Sequence, residues 1–481
     1  MTQLQPRSRF ETGEDLVVLK FGGTSVEDAA AIRRLIEIVR TRLHAQPVVV
    51  VSALARVTDQ LQEAGNTAAS GHLGSALAMA RDLYIRHELL AAELLNNEPP
   101  DKLGCELQAE FRDLESLLSD VASCRQLSPP AHDRLLGFGE CLSSKLVDAA
   151  LRDAGVGAVH IDARSCIVTD ARHEQATPVW SLTSERLRRA VEPLLRLRQV
   201  PVMGGFIGAT AEGIPTTLGR GGSDFSAAIV GAVLHASRVE IWTDVDGIMT
   251  TDPKLCADAK VIRKMSFDEA AELAHFGAKV LHPATLAPAM RENIPVYVLN
   301  SRYPEGAGTE IVAQADTSTV VIAITAKRNV AAVEIEAPHG VSLGLLRTIY
   351  AVLDQHACPV DIMATSIGRV SLLVGSTAAL PRIAADLEGL ASVQWENHKA
   401  LVCLVGEDIR RQPEVASRIF AAVSDMDVRV PCQGASDRSI SFLVEESRVE
   451  ESVQRLHRLF FPRQEPLADW GGNPSAYCRA S

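Results

Sequence analysis

The sequence predicts an α/β protein. A large domain with a parallel-rich central sheet sandwiched by helices is followed by two small βαββαβ modules. Three observations predict this. A strand, a glycine turn, a helix and a second strand follow one another within residues 16 to 51. Apolar strand-like runs then alternate with helical runs as far as residue 302. Beyond that, one pattern occurs twice at an offset of 70 residues.

Residues 16 to 20, LVVLK, read as a short buried strand, and FGGTS as a turn. Ile32, Leu35, Ile36, Val39 and Leu43 then recur at helical spacing, with Thr24 and Glu27 fitting a capping box ahead of them. PVVVVSA supplies the next strand. That order is a βαβ unit with parallel strands. Residues 60 to 150 are mostly helical, and Pro129 and Pro130 open a new helix. Strands return at GAVHIDA, VPVMGGF, RVEIWTDV and IPVYVLN, with helical runs between them, including 223 to 236. The large domain is expected over 15–302, with a linker over 303–318. In the last third, VDIMATSIGRVSLLV (360–374) aligns with VPCQGASDRSISFLV (430–444), and AVEI (332–335) with VCLV (402–405). Two copies of one module are the natural reading. Residues 466–481 are Gly/Pro-rich and are expected to be a tail.

Composition narrows the function. With 481 residues, a net charge of −12 and 47% hydrophobic residues, the chain can bury real cores and is a poor partner for nucleic acid. The longest apolar runs are far too short to span a bilayer. The polar N-terminus has no h-region, so no secretory signal is expected. Nine cysteines without a C-x-x-C suit reduced thiols in the cytoplasm. No metal site of protein ligands is expected.

Four motifs carry the chemistry. In KFGGTS, Lys20 ends a strand and Gly22 and Gly23 precede a helix. Glycines admit backbone N–H groups to a phosphate, and a helix N-terminus adds partial positive charge. A plain βα turn fits that motif equally well. LGRGGSDFS is a second glycine-rich helix start, with Ser223 or Asp224 near its N-terminus, where either could simply cap the helix. Two such starts and one lysine suit a polyphosphate reached from two sides. IWTDVDGIMTTDPK follows a strand end, the place where ligands bind parallel sheets. HFGAKVLHPAT places Lys279 just after Gly277.

These four motifs, in this order, resemble the aspartate kinases of the amino-acid kinase superfamily. The resemblance covers about 15 to 465, and the paired modules look like ACT domains. It implies transfer of the ATP γ-phosphoryl group to the side-chain carboxylate of L-aspartate, with Mg²⁺ accompanying ATP. It assigns Lys20 and Asp224 to catalysis. Lys20, Gly22, Gly23, Thr24, Ser25, Thr243, Asp244, Met249, Lys254 and Lys279 fall on the phosphate or nucleotide side. Thr58, Glu140, Arg220, Gly221, Gly222, Ser223 and Asp224 fall on the aspartate side, with Arg220 for the α-carboxylate and Glu140 for the α-amino group. Met249 stands where many relatives have tyrosine, and Lys254 replaces a common arginine.

In this family the first ACT module is inserted into the second. That places the first at 330–396 and the second at 319–329 with 397–465. Such pairs bind an end-product amino acid, usually lysine or threonine, and the lysine-sensitive type resembles this chain most. His339, Ser342, Leu345, Leu346, Val360, Asp361 and Ser366 would line the effector site, with Asp361 holding the effector's ammonium group. Ile367 stands where lysine-sensitive relatives carry a glutamate, a loss of about 1–3 kcal/mol of selectivity for a cation if the position is buried. A homodimer or larger homo-oligomer through the ACT modules is expected, without membrane or nucleic-acid partners. Nothing large follows residue 465, so a fused second enzyme is not expected. Two other readings remain. One is a different amino-acid kinase. The other is a non-catalytic amino-acid sensor, against which the retention of Lys20, Arg220 and Asp224 speaks.

Overall fold

The computed structural model describes residues 15–96, 100–277, 283–315, 319–375, 377–432 and 436–462. They fall into two compact units: the described residues of Met1–Ile248 with Val261–Ser318, and those of Met249–Lys260 with Thr319–Ser481.

The strands of the first unit are β1 (Val17–Phe21), β2 (Pro47–Val51), β3 (Ala158–Ile161), β4 (Val200–Gly204), β5 (Ile207–Ala209), β6 (Pro215–Thr217), β7 (Arg238–Thr243), β8 (Lys264–Ser266), β9 (Val296–Asn300) and β10 (Thr309–Val312). Eight of them form one sheet in the order β3-β4-β2-β1-β7-β9-β10-β8, while β5 and β6 pair as a hairpin. Every residue of β1, β2 and β4 is buried. Apart from Lys20 in β1 their runs are apolar throughout, as parallel strands covered on both faces require. The pairs β1–β2 and β1–β7 are parallel, placing Lys20 beside Val50 and Ile241.

The helices of this unit are α1 (Ala29–Arg42), α2 (Val57–Ala69), α3 (Leu73–Leu94), α4 (Pro100–Cys124), α5 (Pro129–Asp153), α6 (Ala163–Cys166), α7 (Trp180–Arg196), α8 (Gly222–Leu234), α9 (Phe267–His275) and α10 (Pro283–Arg291). The expected capping box at Thr24 and Glu27 is not what starts α1. A single 3-10 turn, Gly23–Ser25, comes first, and Asp28 caps α1 by accepting a hydrogen bond from Ala31 N at 2.7 Å. The stretch 303–318, expected to be a linker, carries β10, which pairs antiparallel with β9 and parallel with β8. Four residues hold too little alternation to announce a strand. Tertiary bonds anchor it: Thr309 Oγ1 donates to Ile262 O at 2.6 Å and accepts from Ile248 N at 2.8 Å.

His87 sits within α3, fully buried, with Nδ1 2.8 Å from Leu83 O and its ring edge-on to Phe111. Burial pushes its pKa down to about 4 from 6.5. The folded state therefore disfavours the proton that the unfolded chain takes up below about pH 6.5. The stability this contributes is complete above pH 6.5 and is lost as pH falls toward 4, a loss of about 3 kcal/mol. His87→Leu removes that slope. Urea unfolding at about pH 7 and about pH 4 should show the variant gaining on the natural chain by that amount; parallel curves would refute the assignment.

The second unit contains β11 (Ala323–Glu336), α11 (Leu343–Gln355), β12 (Val360–Thr365), β13 (Arg369–Val374), α12 (Leu380–Asp386), β14 (Ser392–Val405), α13 (Pro413–Ala422), β15 (Arg429–Cys432), β16 (Ser439–Glu445) and α14 (Val449–Phe460). Its antiparallel sheet runs β12-β13-β11-β14-β16-β15. The order is symmetric about β11 and β14, and β13 and β16 begin at Arg369 and Ser439, the 70-residue offset of the repeat. Ala323–Lys327 pair with Leu401–Val405, and Val330–Glu336 pair with Ser392–Lys399. Between those blocks the register shifts, and Asn329 (φ 55) and His398 (φ 59) take left-handed backbone. The long strands thus pass from one module to the other. Each module has its own core: Val333, Ile349, Leu372 and Ile383 in one, and Ile324, Leu404, Ile419, Phe442 and Leu456 in the other. Leu255 and Cys256 join the latter core. The segment Met249–Lys260 is held there by Ile324 N donating to Thr250 O at 2.7 Å and by a 2.9 Å bond between Thr250 Oγ1 and His457 Nε2.

Among the described residues no helix is long and apolar enough to cross a membrane.

Candidate active site

The parallel strands β1, β2 and β4 end at one edge of the first unit's sheet, the edge where open α/β sheets bind ligands. The loops after them, the middle of α5 and the start of α8 enclose a cavity of about 560 Å³. Lys20 and Gly23 come from the end of β1. Ser52 to Arg56 and Thr58 follow β2, Phe206 follows β4, and Gly219 to Asp224 open α8. Its cations are Lys20, Arg56 and Arg220. Its carboxyl groups are Asp59, Glu140, Glu174 and Asp224.

Lys20 is buried, and its Nζ lies 2.7 Å from Asp224 Oδ1, an ion pair between groups 204 residues apart in sequence (224 − 20). Asp224 stands in the first turn of α8, but it does not cap the helix, and neither does Ser223. The N-cap is Gly221, whose φ of 71° is left-handed and favours glycine. Gly219 is left-handed as well (φ 75°), and a Cβ there would lie 2.9 Å from Glu174 O. Between these glycines Arg220 is exposed, with no hydrogen bond or ion pair to another described residue. Its guanidinium is free for a ligand.

Glu140 is the counterweight. Its Oε1 accepts a hydrogen bond from Ala53 N at 3.1 Å, and Oε2 is buried without a partner. Burial pushes this carboxyl up to about 8, against the lowering effects of Ala53 N–H and nearby Lys20. A buried carboxyl with one unused oxygen is matched to an incoming cation.

The cavity therefore gathers Lys20, Gly23, Thr58, Glu140, Arg220, Gly221, Gly222, Ser223 and Asp224 from the residues expected in the sequence. Gly22, Thr24, Ser25, Thr243 and Asp244 are not in its lining. Ser25 turns into the fold, its Oγ 2.8 Å from Ser301 Oγ and 3.3 Å from Trp242 O. Thr243 Oγ1 donates to Asp244 Oδ1 at 3.3 Å. Met249 and Lys254 belong to the second unit. Lys279 lies outside the described residues.

Sequence reasoning missed Arg56, His132, Leu136, Glu174 and Phe206, which also line the cavity. A signal was present for two of them. His132, Leu136 and Glu140 recur every four residues along α5, one stripe of one helix face.

In the second unit, Ser342 caps α11 by accepting from Leu345 N at 3.2 Å, Leu345, Leu346 and Val360 pack on the first module's core, and His339 and Ser366 are exposed. Asp361, expected to hold a ligand's ammonium, already holds one of the protein's own. Lys327 Nζ donates to its two oxygens at 2.6 and 2.7 Å. Ile367 is 95% exposed, so the burial that would make the missing glutamate costly is absent in this chain.

The pattern of the amino acid kinase family matches residues 15–300, and that of an ACT domain matches 402–460. The lysine-sensitive aspartokinase 3 of Escherichia coli is 35% identical, over 93% of this chain and 99% of its own. The chain belongs to the aspartokinases of the amino acid kinase family. Aspartokinase 1, chloroplastic, of Arabidopsis thaliana is 32% identical, over 92% of this chain and 80% of its own. Among solved structures, E. coli aspartokinase III in complex with aspartate and ADP superposes with a TM-score of 0.79 at 34% identity, covering 93% of this chain and 100% of its own. The same enzyme in complex with lysine and aspartate gives 0.80 at 35% identity, covering 93% and 99%. This aspartokinase family membership accounts for both units, the kinase sheet and the ACT pair.

Proposed function

We propose that the chain transfers the γ-phosphoryl group of ATP to the side-chain carboxylate of L-aspartate, forming 4-phospho-L-aspartate at the head of lysine, threonine and methionine biosynthesis. One observation carries this reading. A single cavity holds a buried lysine paired with a carboxylate, a free guanidinium, and a buried carboxyl with an unused oxygen. Two carboxylates and one ammonium on one small molecule complement that set.

The acceptor carboxylate is ionised at neutral pH, so no base must remove a proton. Catalysis then consists of positioning and charge stabilisation. Arg220 grips the α-carboxylate bidentately, while Glu140 takes the α-ammonium and Thr58 adds a hydroxyl contact. Lys20 faces the transferring phosphoryl group, held in place by Asp224. Gly22, Gly23, Thr24 and Ser25 form the turn along its path, and the first turn of α8 brings its N–H groups and positive end. Thr243, at the end of β7, and Asp244, just beyond it, serve the nucleotide. A nucleotide-borne Mg²⁺ would supply charge neutralisation at the phosphates. Asp224 orients Lys20 and accepts hydrogen bonds from the substrate amine or bound water.

The ACT unit binds a feedback amino acid, with lysine favoured by similarity to the lysine-sensitive enzyme of E. coli. The chain works in the cytoplasm, as a homodimer or larger assembly, and exposed Leu343, Tyr350 and Ile367 on the first module support the self-association.

With ATP, Mg²⁺ and aspartate, hydroxylamine should trap the acyl phosphate as a hydroxamate. Silence in that assay from folded protein would sink the proposal. The assay also has a pH signature. Below about 8 the free carboxyl of Glu140 keeps its proton, and a bound ammonium draws it into the ionised form. Aspartate affinity should therefore rise with pH up to about 8, by as much as about tenfold per unit, and Glu140→Gln should flatten the profile. A flat profile in the natural chain would remove Glu140 from the ammonium site.

A further inference from the structure

Asp133 is not in the cavity lining, yet it joins two of the segments that form its wall. The side chain is 0% exposed. Its Oδ1 accepts from Thr217 Oγ1 at 2.6 Å and from Glu174 N at 3.0 Å, and its Oδ2 lies 2.7 Å from His173 Nδ1 and 3.1 Å from Glu174 N. Thr217 ends β6, two residues before Gly219. Glu174 has left-handed backbone (φ 68°), which a glutamate seldom adopts without an external hold. Its carbonyl packs so closely on Gly219 that a Cβ there would come within 2.9 Å. Ala176 N donates to Thr217 O at 2.9 Å, stitching the same two segments a second time.

A buried carboxyl is costly unless its oxygens are hydrogen-bonded. The donors named here come from two segments remote in sequence, the turn at 173–174 and the end of β6. Satisfying Asp133 therefore fixes one against the other and sets where the chain enters Gly219–Gly222. We infer that Asp133 is a positioning residue for the aspartate subsite. Through Thr217 and Glu174 it sets the loop that carries Arg220, and it does not touch substrate. The inference rests on the assignment of Arg220 to the aspartate carboxylate.

The test uses the full chain and three variants. Thr217→Val removes the donor with little change of shape, Thr217→Ser keeps it, and Asp133→Asn, with one acceptor oxygen and one NH2 donor, cannot accept from both Thr217 Oγ1 and His173 Nδ1–H. Displacing a binding group by about an ångström can cost about 100-fold in rate. Thr217→Val and Asp133→Asn should raise KM for aspartate about tenfold or more and leave KM for ATP within about twofold, while Thr217→Ser stays near the natural value. Hydrogen exchange at the amides of Gly219–Gly222 should quicken about tenfold in Thr217→Val and not in Thr217→Ser. Equal changes in both KM values, or no change, would overturn the inference, as would unaltered exchange. If Asp133→Asn does not fold, the threonine pair decides. Absence of hydroxamate from the natural chain would instead refute the functional reading, and the exchange measurement would still judge the clamp.

Discussion

Lys20→Ala lowers kcat for hydroxamate formation by about a thousand-fold or more, equivalent to about 4 kcal/mol of transition-state stabilisation. Lys20 is the one lysine among the described residues lining the cavity, and its ammonium is buried beside Asp224. Charge on the transferring phosphoryl group spreads over its equatorial oxygens, so a fixed cation there acts on the transition state more than on bound ATP. In a partly dry site that cation needs no reorganisation when the charge develops. The change should therefore fall on kcat, with smaller changes in either KM. Lys20→Arg should not restore the rate, because a planar guanidinium cannot take the place of a compact ammonium at the end of a buried strand. Removing the lysine also leaves Asp224 without its cation, so thermal unfolding must accompany the kinetics. A folded Lys20→Ala protein with kcat within tenfold of the natural chain would take Lys20 out of the mechanism.

Arg220→Ala raises KM for aspartate about 100-fold, the effect of losing a charge-assisted bidentate contact of about 2–3 kcal/mol. Arg220 differs from Lys20 in a way that makes the result clean. It is exposed and bonds to no other described residue, so its loss should leave the melting temperature unchanged. Arg220→Lys should recover part of the affinity, since a point charge keeps the attraction and loses the fork geometry. Aspartate saturation that is unmoved by Arg220→Ala would show that the α-carboxylate is held elsewhere, and Arg56, also in the cavity lining, would be the next guanidinium to test.

Much of the fold was legible because it is written locally. Apolar runs mark β1, interrupted only by Lys20, and β2, and the helical spacing that begins at Ile32 marks α1. The offset of 70 residues marks the paired modules, since strands that fill equivalent places carry equivalent patterns. Elsewhere the pattern was too short or its partner too remote. β10 has four residues and is a strand because Val296 and Met265 flank Ile311. Thr24 and Glu27 have the spacing of a capping box, but a 3-10 turn displaces the helix start to Asp28.

Sequence by itself determined that two glycine-rich turns lie ahead of helices, that one of them follows a lysine at the end of an apolar strand, and that two copies of one module end the chain. Those properties depend on backbone freedom, period and residue type within a few positions. Tertiary structure alone decided which side chains share a space. It turned Ser25 toward Trp242, 217 residues away, and gave Asp361 the ammonium of Lys327, 34 residues away. It assigned Met249 and Lys254 to the unit that holds the ACT pair. It also joined Asp133 to Thr217 across 84 residues. A hydrogen bond requires donor and acceptor to meet within about 3 Å, and no local pattern encodes which of many compatible groups the folded chain will bring to that distance.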